Sequence, residues 1–370
     1  GRVRAEAARP GSAPGERGRA ALAARGRTAT TAGRVRVGQR HGRARAPTLA
    51  AMQADTVSTA FVVAVVGAYL VRLWLAGRQI RHVALHRAAV PAAFARTVSP
   101  EAHRKAADYT IAHTRLGLVA GAYGAAVLLG WTLLGGLDAL NAALREALLP
   151  HAGAMAYQLA LLACFALAGG ALELPFSWYE TFRLEQRYGF NRMTFGLWLA
   201  DLAKGLLVAA VVGLPLAALV LWIMGASGGL WWLWAWAAWV GFNLLLLVVY
   251  PTLIAPLFNK FRPLADETLT ARVTALMQRC GFQARGLFVM DGSRRSAHAN
   301  AYFTGLGAAK RVVFYDTLLA RLAPGEVEAV LAHELGHFKR RHVLELMLVI
   351  FALSLAALAL LGWLAQRTGF

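Results

Sequence analysis

Six stretches of the chain are apolar for long enough to cross a bilayer as helices, which takes about 20 residues each. They lie near 56–76, 116–137, 155–175, 202–223, 230–254 and 344–364, with polar segments between them. Internal glycines and prolines, such as Gly67 and Pro215, are compatible with membrane helices, whose neighbours satisfy the freed backbone groups. The fifth run opens with Trp231, Trp232, Trp234, Trp236 and Trp239, a cluster expected at headgroup level. The pattern predicts an all-α polytopic membrane protein that carries one small α+β polar segment.

That segment covers 256–343. A helix is predicted near 265–281, where Leu269, Val273 and Leu276 fall on one face and Gly281 suits the C-terminal cap. Strand-like runs follow at Leu287–Met290, His298–Phe303 and Arg311–Tyr315. The turns Asp291-Gly292-Ser293 and Gly305-Leu306-Gly307 divide them. Pro324 and Gly325 then open a second helix, with Glu326 and Glu328 in its first turn, where negative charge complements the dipole.

Charge fixes the expected orientation. The loop after the first run holds Arg78, Arg81, Arg87, Arg96, Arg104 and Lys105; the loop after the third holds Arg183, Arg187 and Arg192. The loop after the second has only Arg145, and the loop after the fourth has no basic residue. Alternation of this kind places the basic loops, and with them 256–343, in the cytoplasm. It also reassigns the net charge of +20 from nucleic-acid binding to membrane topology.

Residues 1–51 hold 12 Arg and 2 Glu among Ala, Gly, Thr and Pro, too little apolar surface to offset ordering entropy. They read as a disordered extension, or as sequence upstream of a start at Met52, with a lipid-binding tail as the alternative. Only 16% of all residues are charged, below the ~25% usual for soluble domains. Cys164 and Cys280 form no CxxC, so neither a disulfide framework nor a thiolate metal site is indicated. The expected organisation is therefore the extension (1–51), spans one to five (52–255), the cytoplasmic catalytic segment (256–343), and the sixth span with the chain end (344–370).

The second helix of the polar segment contains His333-Glu334-Leu335-Gly336-His337, an H-E-x-x-H motif. Residues four apart share a helix face, so both imidazoles reach one tetrahedral Zn2+, one per chain. Glu334 stands beside the water on that metal and takes its proton, making it the catalytic base. His342, five residues past His337, turns off the ligand face and reads as anchoring ahead of span six. A third protein ligand is required. Glu328 and Glu345 are too far along the helix axis, and Glu180 and Glu185 reach the metal only through tertiary folding.

Four segments resemble the CaaX prenyl protease family of integral-membrane zinc metallopeptidases. They are Leu331–Phe338; Ser296–Gly305; Tyr188–Thr194 with Asp201 and Lys204-Gly205; and Pro251–Phe261, all in family order. The resemblance implies a ring of spans around a chamber, with the metal facing inward near the cytoplasmic side. It implies endoproteolysis near the C-terminus of a peptide or protein substrate, membrane-attached ones included. By match of motif Asn300, with His298, binds substrate, Asn300 on an edge strand beside the metal; its plainer reading is a strand residue next to a turn. Tyr302 and Phe303 read as packing residues.

The family has seven spans and takes its third ligand from a Glu beyond the seventh. Neither occurs before Phe370, so the coding sequence is expected to continue. Two alternatives share the same residues: a catalytically silent membrane peptide-binding protein that lacks the third ligand, and a quality-control protease for membrane proteins. A transporter is disfavoured, because Arg72, Glu173, Lys204 and Glu345 lie near span ends.

Overall fold

The computed structural model describes residues 49–304 and 310–366. The extension expected over 1–51 lies, except for its last three residues, outside the described residues, as do the Gly305-Leu306-Gly307 turn and the last four residues. Residues 49–51 are helical and open α1 (Leu49–His86). α2 (Pro100–Leu133) starts at Ser99, whose Oγ accepts from the Ala102 amide at 3.1 Å. α3 (Gly136–Tyr179) breaks at Gly153, where φ is 79° and ψ 174°. It runs through a π-helical turn, Glu180–Glu185, into the short α4 (Gln186–Tyr188). α5 (Phe195–Ala226) is capped by Thr194, and α6 (Trp231–Val249) ends in a second π-helical turn, Tyr250–Ile254, before α7 (Ala255–Phe258).

Among the described residues six helices are long and apolar enough to cross a membrane, in agreement with the six apolar runs. Their outer faces leave large apolar side chains uncovered, Leu207 and Leu353 each at 65% exposure. Lipid tails rather than water are the solvent that suits such faces. Three tryptophans of the cluster also pack against a neighbouring helix. Trp236 Nε1 donates to Phe351 O at 3.0 Å and Ser354 Oγ at 3.2 Å, and the Trp239 ring meets Phe351 edge-on at 5.6 Å. Trp232 lies against Gly362. These three join α6 to α11 (His342–Leu364), because an indole N–H away from water needs an acceptor and a helix carbonyl supplies it.

The polar segment is one packed unit. β1 (Phe261–Pro263), β2 (Leu287–Met290), β3 (Ala301–Thr304) and β4 (Arg311–Tyr315) form a sheet in the order β1-β2-β4-β3. β2 and β4 are parallel and the other pairs antiparallel. α8 (Glu267–Arg279), capped by the Asp266 carboxylate, and α10 (Pro324–Lys339) cover one face. α9 (Asp316–Leu319) follows β4 directly. Val312 and Phe314 of β4, Val273 of α8, and Val327, Leu331 and Leu335 of α10 form the dry centre. Val313 points the other way, toward Tyr250 and Pro251 of the π-helical turn. The sheet is thus held between its own helices and the base of α6.

The strand expected at His298–Phe303 is shorter and shifted. It begins at Ala301: Thr317 Oγ1, outside the sheet, donates to His298 O at 2.7 Å, and Asn300, whose carbonyl accepts from the Tyr315 amide of β4 at 3.0 Å, stands at the end of the pairing.

Candidate metal centre

α10 begins with Pro324, and the Glu326 side chain accepts from the Ala323 amide at 2.8 Å, while the Glu326 amide donates to Ala323 O at 2.9 Å. From there the core stripe Val327, Leu331, Leu335 sets the rotation of the helix. At 100° per residue, His333 and His337 lie about 200° round from Leu331 and Leu335 respectively, directed away from the core. Both histidines are exposed and Glu334 is half-buried.

His333 Nε2 and His337 Nε2 are 3.2 Å apart, with ring planes inclined at 76°. Two nitrogens bound to one tetrahedral zinc at ~2.0–2.1 Å sit roughly 3.3 Å apart, so the pair already has the spacing that a shared metal requires. Among the described residues no cluster of three or more His, Cys, Asp or Glu is placed to hold a metal. Glu180 is paired with His113 Nε2 at 3.1 Å. Glu185 accepts from Tyr109 Oη at 2.6 Å and meets His298 Nε2 at 3.2 Å. Neither joins the two histidines.

His342 does not stand apart. Its Nδ1 lies 2.9 Å from His337 Nδ1, on the side of the ring opposite the paired Nε2 atoms. Arg341, with φ 57° and ψ 27°, reverses the chain between α10 and α11 and brings His342 back. Helical spacing alone carries His342 away; the left-handed residue between the helices is what the spacing argument lacked.

Glu334 and His337 open onto a cavity of 570 Å³. Its wall includes Leu244 and Leu247 of α6, Leu344 and Met347 of α11, Tyr302 of β3, and Lys310. Burial pushes the Tyr302 hydroxyl up to about 12, so it stays neutral. The contributions from α6 and from Lys310 had no sequence signal, since they depend on how the segment seats on the spans.

Neither His298 nor Asn300 is among the residues lining this cavity. The His298 ring stacks on Phe190 at 4.2 Å, beside Glu185 and Tyr109. Asn300 immediately precedes β3, at the end of the sheet, and its Oδ1 accepts from the Ala301 amide at 2.8 Å. β3 is an edge strand, paired in the sheet with β4 alone.

The Asn191–Arg192 turn pairs with the loop before β3: the Arg192 amide donates to Arg295 O, the Ala297 amide to Phe190 O, and Asn191 bridges Ser296. Arg295 then clamps Asp201 of α5 with Nε and Nη2, at 2.7 and 2.9 Å, and donates to Asn259 Oδ1 at 2.9 Å. Three of the four resembling segments therefore meet in one polar knot that fastens the polar segment to the fourth span.

Residues 79–260 match the family described as CAAX prenyl protease N-terminal, five membrane helices, and residues 263–369 match peptidase family M48. The chain is 44% identical over 180 residues to CAAX prenyl protease 1 homolog of Dictyostelium discoideum, covering 48% of this chain and 42% of that protein. It is 34% identical over 265 residues to CAAX prenyl protease 1 of Saccharomyces cerevisiae, covering 69% of this chain and 58% of the relative. The chain thus spans about half the length of these relatives. Among solved structures, that of S. mikatae Ste24p aligns with a TM-score of 0.74 at 29% identity, over 82% of this chain and 71% of the other.

Proposed function

Because this integral membrane chain belongs to the CAAX prenyl protease family, whose members join a five-helix membrane domain to an M48 peptidase domain, we propose that it is a zinc metalloendopeptidase cleaving peptides near their C-termini. The observation that carries the reading is the 3.2 Å approach of His333 Nε2 and His337 Nε2, one residue from a glutamate that faces a cavity.

His333 and His337 would hold the zinc, one per chain, and a third protein donor completes its shell. When bound, such a cation supplies Lewis acidity, polarising the scissile carbonyl and lowering the pKa of a water it touches. Glu334 does the proton work: its carboxylate accepts a proton from the attacking water and returns it to the departing amine nitrogen. The exposed edge of β3 offers backbone groups to an extended peptide, with Asn300 and His298 at its entrance. The basic loops support a cytoplasmic face for this site, where membrane-attached protein termini would be within reach.

The test is cleavage of a peptide with an apolar C-terminus by the purified chain with added zinc, the products read by mass spectrometry. Glu334→Gln should lower the rate by about 10²–10⁴-fold. Undiminished cleavage by that variant rejects the mechanism. The lack of a three-donor cluster among the described residues favours one competing reading, a silent peptide-binding protein. Peptide binding with neither metal uptake nor turnover would select it.

A further inference from the structure

Lys310 immediately precedes β4, and the Arg285 amide fixes its backbone by donating to Lys310 O at 2.8 Å. Its Nζ lies 4.1 Å from the centroid of the Phe338 ring and 5.2 Å from that of Phe282. Both rings belong to the wall of the cavity that holds Glu334. Ring faces attract an ammonium, so the pair holds the charge between them at the wall. Among the described residues no carboxylate comes within ion-pair distance of Lys310. Arg341, on the same wall, adds a second positive charge.

Most of the remaining wall is hydrocarbon from α6 and α11. A cation set in such a wall is under-solvated, and two aromatic faces replace its water only in part. The complement of this surface is an apolar ligand that carries one negative charge. Among the wall residues Lys310 and Arg341 are the cations that attract an anion, and Glu334 repels one.

The geometry points to Lys310 as a carboxylate-binding residue that takes the free C-terminal carboxylate of an apolar peptide. The assignment of the ligand as a peptide rests on the proposed peptidase reading. The chemistry of the site, an ammonium with a guanidinium in an otherwise largely apolar wall, does not. A carboxylate also occurs on acidic side chains, and lipid headgroups bring other anions, so the experiment separates these sources.

Binding is measured on the Glu334→Gln chain in neutral-lipid nanodiscs, so that turnover plays no part. Three fluorescent apolar peptides are compared: one with a free C-terminus, its C-terminal amide, and an amide with an internal Asp. Amidation should weaken binding about tenfold, and the internal Asp should not restore it, as expected for loss of one charge-assisted hydrogen bond. In Lys310→Gln the free acid and the amide should bind within about twofold of each other, and Lys310→Arg should recover most of the difference. Equal affinity of acid and amide for the parent chain overturns the proposal and needs no variant to read. So does an equal loss for both peptides in Lys310→Gln, or restoration by the internal Asp. Loss of the acid–amide difference only with anionic lipid supports the site and shows a headgroup competing for it. If the binding difference holds while no peptide is ever cleaved, the peptidase reading fails and the carboxylate site stands.

Discussion

The Nε2 atoms of His333 and His337 face one another at 3.2 Å across one turn of α10. Both side chains are exposed, and the core stripe on the far side of the helix does not depend on them. His333→Ala and His337→Ala should therefore each abolish stoichiometric zinc while leaving the fold intact. Elemental analysis of the dialysed protein, beside its far-ultraviolet circular dichroism, checks both halves. Zinc retained at about one per chain in either variant would refute the ligand assignment.

The ring nitrogen of His337 that does not face His333 is backed by His342 Nδ1 at 2.9 Å. A partner there fixes the ring's tautomer and orientation. His342→Ala should weaken zinc binding about 10–100-fold without abolishing it. Competition against a chromophoric chelator reads this directly. An unchanged affinity would return His342 to a role in membrane anchoring.

Arg295 and Asp201 form a two-pronged ion pair in which the side chains are only 18% and 16% exposed. Removing the arginine strands a largely buried carboxylate. Arg295→Ala should cost about 3 kcal/mol, and Asp201→Asn in the same chain should recover part of it. Thermal denaturation in one detergent compares the three proteins. A double variant no better than Arg295→Ala would show that the lost stability came from elsewhere in the knot.

Arg272 of α8 binds Glu328 of α10 and holds that carboxyl below its ordinary value of 4.5, chiefly through their hydrogen bond. A group lowered on folding contributes stability that is complete above 4.5 and is lost as pH falls through the depressed folded value. Glu328→Gln should lie below the parent in melting temperature at neutral pH, and the two curves should converge in acid. Parallel curves from pH 7 to pH 3 would contradict the link. The pair is solvent-exposed, so the effect is small and shrinks with added salt.

A side chain at Gly362 would meet Trp232, since a Cβ there falls 2.4 Å from Trp232 Cδ1. Gly362→Val should separate α11 from α6 and cost about 1–3 kcal/mol. Trp232→Ala in the same chain should relieve most of it, as denaturation midpoints would record.

The spans and the helix of the candidate site were legible because each is written locally. Apolar length marks a span, and the i, i+4 histidines with a glutamate between them mark the site wherever the helix lies. What was not legible is everything set by contact. Helical periodicity carried His342 away from the metal ligands, and one left-handed residue returned it. The tryptophans at the head of the fifth run have the composition of a headgroup belt. Three of them also face α11, a partner more than a hundred residues away, which composition does not tell. Asn300 and His298 sit in a β-rich run, but the His298 carbonyl is bonded to Thr317 Oγ1 outside the sheet and Asn300 stands at the last rung against Tyr315, so the strand starts later. Lys310 carried no signal at all, because its meaning comes from the rings of Phe282 and Phe338.

Only Arg340 and Arg341 separate the end of α10, whose last turns carry His337, from the span that begins at His342. There is no slack there to absorb movement. When a hydrophobic span tilts to match a thinner membrane, its end swings, and here that end is in hydrogen-bond contact with His337. On the proposed metallopeptidase reading, the thickness of the surrounding lipid would bear on the spacing of the two histidines, which rates compared across bilayers of different thickness would read.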